Sequence, residues 1–276
     1  REEAVLEAFV DGAVAAHMRD HDIPGVTVSV VRSGRTVFAK GYGDADADGA
    51  RPVSGGGTLF LIGSVSKTFI WTSVMMLVER GEINLEADVN VYLKDMQIPE
   101  KFNAPINMND LMAHRAGFED TLAVFTVSDD TDRTLTELLK EHMPARVYPP
   151  GARTSYSNWG STLAAKIVED VSGVSYKQFL RDEILTPLSM DDTVLYGTKI
   201  TDPRLSARLS APLKSEHGRL AESEYMEIGP YAPAGGMASS AQDMARWMAF
   251  HLGAGELDGV RLMSRATHQR MLQRAF

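Results

Sequence analysis

Ser64 and Lys67 stand three residues apart in Gly63-Ser64-Val65-Ser66-Lys67-Thr68-Phe69. On a helix that spacing puts both side chains on one face. A serine hydroxyl becomes a useful nucleophile only when an adjacent base takes its proton. Lys67 is the sole charged residue between Arg51 and Glu79, and Phe69, Ile70, Trp71, Val74, Met75 and Leu77 follow it. A helix apolar on nearly every face is buried, and burying an isolated ammonium is costly. Lys67 therefore either finds a partner or titrates below its usual range. Gly63 permits a sharp entry, which leaves the Ser64 N–H near a helix N-terminus and able to meet an oxyanion. The plainer alternative makes Ser64 an N-cap and lets Lys67 snorkel to solvent.

Tyr156-Ser157-Asn158 forms a second constellation, after the turn signal Pro149-Pro150-Gly151. Two residues apart in a loop, Tyr156 and Asn158 can point the same way. Tyr156 can relay a proton, and Asn158 can hydrogen-bond both a lysine and a substrate carbonyl. Taken alone, the segment also reads as a turn with Asn158 as N-cap.

These groups need a scaffold. Residues 2–19 carry apolar positions at helical spacing, and Ile23-Pro24-Gly25 ends that helix. Val26, Val28 and Val30 alternate with Thr27 and Ser29 as in a half-buried strand. Ser33-Gly34 turns the chain into a second strand that ends near Gly41-Tyr42-Gly43. A hairpin alone is not a stable sheet and requires further strands. Residues 44–57 read as a surface loop. The spacing then predicts helices over 65–80, 107–114, 134–142, 159–172, 175–185, 240–252 and 264–273.

Composition narrows the function. The 276 residues are 44% hydrophobic and 24% charged, as in a globular domain with a sizeable core. A net charge of −9, with no basic run, argues against a nucleic-acid partner. The absence of cysteine removes thiol nucleophiles and thiolate metal sites. No zincin-like histidine spacing occurs, so no metal is expected. Asp44, Asp46 and Asp48 lack the offsets of a calcium loop and read as a solvated acidic loop. Met75, Met76, Met244 and Met248 are expected in the core.

Together the two constellations resemble the penicillin-recognising serine hydrolases: class C β-lactamases, the related family VIII esterases and DD-peptidases. Leu59-Phe60-Leu61-Ile62-Gly63-Ser64-Val65-Ser66-Lys67 is similar to that family's nucleophile segment, and Arg80-Gly81-Glu82-Ile83-Asn84-Leu85 with Asp88 to the segment after it. Leu111-Met112-Ala113-His114-Arg115-Ala116-Gly117 resembles its L-L-x-H-x-S-G stretch, with Ala116 in place of serine. Ala234-Gly235-Gly236-Met237-Ala238-Ser239-Ser240 resembles its late glycine turn. The likeness runs in order from about residue 22 to the end.

The resemblance implies an α/β fold of the β-lactamase/transpeptidase type, an antiparallel sheet flanked by helices plus an all-helical lobe. Residues 1–276 would form one catalytic domain, with 1–57 and about 238–276 in the α/β lobe and about 64–237 in the helical lobe. It implies a serine hydrolase acting on small amides, esters or lactams through an acyl-enzyme on Ser64. Lys67 and Tyr156 would carry protons and Asn158 would bind substrate, with no cofactor. His114 receives no catalytic role and is read as a structural turn histidine. The family's third motif, Lys-Thr-Gly or His-x-Gly, does not occur after Ser240. The expectation is therefore a chain whose C-terminal strands are missing and whose own remaining segment is a partner. A slow-turnover or inactive penicillin-binding sensor is the alternative reading. An envelope-side location, periplasmic or extracellular, is expected from the resemblance.

Overall fold

In the computed structural model the described residues are 2–119, 121, 133–196, 200–216, 219–223 and 229–273. Helix α1 (Glu2–Asp20) leads into β1 (Gly25–Arg32) and β2 (Arg35–Gly43), an antiparallel hairpin. Ser33 and Gly34 both have positive φ, 52° and 75°, as a two-residue type I′ turn demands. No residue of α1 is buried. It is tied to the hairpin through charge, because Lys40 reaches Glu7 and Asp11, and the Tyr42 hydroxyl donates to Asp11 at 2.7 Å. The apolar stripe read from its sequence faces solvent at Val5 and Phe9.

Beyond the acidic loop, β3 (Phe60–Leu61) precedes α2 (Ser66–Glu79). The predicted 44–57 loop is polar as expected: Asp46 pairs with Arg51 at 2.6 Å, and Asp48 accepts the Ala50 N–H. The helix expected over 107–114 is the shorter α3 (Met108–Met112), capped at Asn107 by reciprocal bonds with Asp110. It stops early because His114 adopts φ +54°, which a right-handed helix cannot contain. Helices α4 (Leu135–Glu141) and α5 (Asn158–Ser172) follow, each opened by a hydroxyl cap, Thr134 and Ser157. The segment expected as one helix over 175–185 divides into α6 (Tyr176–Phe179) and a wider π-helical turn, Leu180–Leu185. There Thr186 N–H bonds Arg181 O across five residues, which brings Leu180 and Leu185 into the core together.

Strand β4 (Val194–Leu195), α7 (Pro203–Ser206) and the hairpin β5 (Leu213–Glu216) and β6 (Arg219–Glu222) lead to α8 (Ala232–Gly235) and β7 (Met237–Ser239). Strand β7 sits between β3 and β4, antiparallel to both. Helix α9 (Ala241–Leu252) packs on β1 and β2, and β8 (Glu256–Leu257), β9 (Val260–Arg261) and α10 (Arg265–Leu272) complete the described chain. The main core gathers around α2 and α5, with Phe69, Met75, Trp159 and Phe250 fully enclosed. Met75 and Met76 are buried as expected, but Met244 is only partly covered and Met248 is exposed. Helix α9 inserts Ala245, Trp247, Ala249 and Phe250 into the core, and Met248 falls off that stripe.

Candidate active site

The sequence around Ser64 folds as one 3₁₀ turn, Gly63–Val65, running straight into α2. Gly63 has φ +52° with open space at its Cβ position, so conformation rather than crowding calls for glycine there. Two bonds anchor the turn to β7. Ile62 N–H donates to Met237 O at 2.9 Å, and Met237 N–H donates to Ser66 Oγ at 3.2 Å. Ser66 Oγ in turn donates to Gly63 O at 2.7 Å. Ser64 is exposed, and among the described residues no carbonyl takes its N–H. That N–H lies in the turn that opens α2, where a donor without a main-chain partner is able to meet an oxyanion.

Lys67 lies one turn further and is buried. Its Nζ donates to Ser64 Oγ at 3.1 Å, Asn158 Oδ1 at 2.7 Å and Ala234 O at 2.5 Å. An ammonium has three N–H donors, and all three are used. Burial pushes Lys67 below the usual lysine range, and neighbouring Tyr156 opposes part of that fall. Of its three partners, Asn158 Oδ1 and Ala234 O can only accept. In the neutral amine the two remaining N–H groups stay on them, and the lone pair points to the Ser64 hydroxyl.

Tyr156 approaches from the other side. Its hydroxyl donates to Ser64 Oγ at 2.7 Å, and Lys67 Nζ stands 4.8 Å from its ring centre. The loop is held by Ser155, whose Oγ donates to Phe118 O at 2.9 Å, and by Ser157, whose Oγ accepts the Gly160 N–H at 2.9 Å. Ser157, not Asn158, caps α5. Asn158 occupies the first helical position, which turns its side chain toward Lys67.

All four residues singled out in the sequence, Ser64, Lys67, Tyr156 and Asn158, therefore meet at one point. The sequence reading missed one contributor. The Ala234 carbonyl is a main-chain group that no residue type reveals, although its Gly235-Gly236 neighbours marked the turn. A Cβ on Gly236 would lie 2.6 Å from Tyr196 O, so that turn closes only around glycine. His114, read from the sequence as a structural turn histidine, sets its ring 4.3 Å from the Tyr156 ring, centre to centre. Its place in the Leu111–Gly117 stretch was the only signal. Among the described residues, no cluster of three or more histidines and carboxylates is arranged to hold a metal ion.

Known proteins resemble the chain along most of its length. The beta-lactamase family profile matches residues 10–276. Esterase EstB of Burkholderia gladioli is 28% identical over 273 residues, covering 88% of this chain and 69% of its own. A beta-lactamase of Yersinia enterocolitica is 25% identical over 248 residues, covering 89% and 59%. The octameric penicillin-binding protein homologue from Pyrococcus abyssi shares the fold, with a TM-score of 0.79, 24% identity and coverage of 95% of this chain and 59% of that one. Several curated relatives are about twice as long as the chain, which spans 48% of a Staphylococcus aureus flp protein and 45% of a Dictyostelium discoideum beta-lactamase-like protein. With the profile covering nearly its full length and the fold matched, the chain belongs to the beta-lactamase family.

Proposed function

We propose that the protein is a serine hydrolase that cleaves small amides, esters or lactams through an acyl-enzyme on Ser64. The observation that carries this reading is the position of Ser64 Oγ, 3.1 Å from Lys67 Nζ and 2.7 Å from the Tyr156 hydroxyl. In acylation, Ser64 Oγ forms a bond to the substrate carbonyl carbon and its proton passes to the Lys67–Tyr156 pair. The negative charge collects on the carbonyl oxygen, beside the Ser64 N–H. Collapse of that adduct breaks the bond to the leaving group, which receives the proton. In deacylation, water attacks the ester carbon and the same pair takes its proton and returns it to Ser64. Asn158 holds Lys67 in register and presents its amide to a substrate carbonyl.

Intact mass after exposure to a penicillin and to p-nitrophenyl acetate, beside Ser64→Ala, tests the proposal. An adduct on the parent and none on the variant is expected. The absence of both an adduct and any hydrolysis of either compound above the Ser64→Ala rate sinks it. Adduct lifetime separates two roles for the site: turnover within seconds to minutes marks a hydrolase, and a persistent adduct marks a penicillin-binding sensor.

A further inference from the structure

His114 stands at the end of α3 with its backbone in the left-handed region, φ +54°. Asparagine, aspartate and histidine tolerate that conformation better than other side chains with a Cβ. Its carbonyl accepts the Ser155 N–H at 2.7 Å, and its Nδ1 lies 3.2 Å from the Ser157 nitrogen. A backbone N–H only donates, so Nδ1 is the acceptor and the ring proton sits on Nε2. One residue thus holds the chain immediately before and immediately after Tyr156. The imidazole also lies against the phenol ring, 4.3 Å between centres at a 30° tilt. The small cleft that it lines with Leu111, Phe118, Ser157 and Gly160 has no room for a water molecule beside the ring.

We infer that His114 is a positioning residue: its carbonyl and Nδ1 hold Ser155 and Ser157 so that the Tyr156 hydroxyl meets Ser64 Oγ. This rests on the proposed roles of Ser64 and Tyr156. Among the described residues, Lys67 of α2 acts on the ring through its charge, and Asp110 of α3 lines the same cleft. Burial, with Lys67 as a smaller cause, pushes the imidazole down to about 4, so the neutral acceptor form persists at ordinary pH.

Two variants separate the acceptor from the ring. His114→Phe keeps a ring and removes the acceptor. His114→Asn keeps an acceptor near the Nδ1 position and suits a positive φ. Each is made in the parent and in a Tyr156→Phe background, and Ser64 acylation by p-nitrophenyl acetate is timed. With Tyr156 present, His114→Phe is expected to slow acylation about 10- to 100-fold, since a misplacement near 1 Å costs about that much. His114→Asn is expected to recover most of the rate. In Tyr156→Phe, adding His114→Phe should change the rate by no more than about twofold, because the two act as one unit. Equal losses in both backgrounds, or no recovery with asparagine, overturn the inference.

A second readout needs no catalysis. With ¹³Cζ-labelled tyrosine, the Tyr156 resonance is the one absent from Tyr156→Phe. It should be single in the parent and His114→Asn and should broaden or split in His114→Phe; an unchanged line in His114→Phe overturns the inference. A Tyr156 line that behaves as expected in a protein never acylated at Ser64 refutes the catalytic reading and leaves the positioning role standing.

Discussion

At the scale of the residue, Lys67 is the buried cation of the proposed site. It is the one cation of α2, and its three bonds to Ser64, Asn158 and Ala234 satisfy it there. Burial favours its neutral form. Acylation should therefore rise with pH along a limb lying below the usual lysine range, and Lys67→Ala should abolish that limb. The same variant should slow acylation by about 10²- to 10⁴-fold, the usual contribution of a positioned acid–base group. Stopped-flow acylation across pH checks both. A limb that survives in Lys67→Ala would move the titration to another group.

At the scale of the element, two helix ends invite measurement. Gly117 has φ +80°, and an added Cβ would lie 2.0 Å from Tyr148 O. Gly117 O also accepts the Val147 N–H at 2.8 Å, so this crossing ties the α3 turn to the loop that leads to Tyr156. Gly117→Ala should lower stability by about 1–3 kcal/mol, through backbone strain, and slow acylation with it. Denaturant unfolding would show the loss, and a wild-type midpoint would refute the argument. Helices α9 and α10 meet through His251 Nδ1 and buried His268 Nε2, 2.9 Å apart. Burial pushes His251 down to about 4 and lowers His268 as well. The unfolded chain, with histidines near 6.5, then binds more protons than the folded one between about pH 6.5 and 4. Stability from this pair is complete above about pH 6.5 and is lost as pH falls toward 4. Replacing both residues with leucine should reduce the slope of unfolding free energy over that window, leaving the part that His114 carries; an unchanged slope would assign the acid sensitivity elsewhere.

At the scale of the whole molecule, the site is a meeting of distant segments. Residues 64–67, 156–158 and 234 have no local reason to approach each other; the packing of α2 against α5 and α8 brings them together. The anchor of β7 on the nucleophile turn adds a further constraint. Acylation competence and far-UV signal should therefore disappear in one urea transition; competence lost well before the helices melt would mean that the site is held only locally. Within α5, Lys166 pairs with Asp170, both buried, and Asp170 also receives the Lys94 N–H at 3.2 Å. Lys166→Met would leave a buried carboxylate without its cation and should cost about 3–5 kcal/mol. Thermal unfolding would register it, and a shift of only a degree or two would count against a coupled pair.

Much of the site was legible in the sequence once the two constellations were taken together with the family they resemble, because each is written locally. Ser64 and Lys67 stand three residues apart, and the solitary charge in an apolar run left Lys67 either buried or snorkelling to solvent; the fold buries it. Tyr156 and Asn158 are announced by a proline-glycine turn, and the opening hairpin by its alternation and its Ser33-Gly34 turn. Tertiary structure decided the rest, because it depends on contacts between residues far apart in the chain. The Ala234 carbonyl looks like every other carbonyl until α8 packs beside Lys67. The two- and three-residue strands β3, β4 and β7 are too short to carry a period and exist only because they pair. The division of 175–185 into two kinds of helix, and the solvent-facing Met248, were set by which neighbours each element met. His114 shows the boundary most clearly. Its sequence context marks a turn, but only the folded chain sets that turn on both sides of Tyr156.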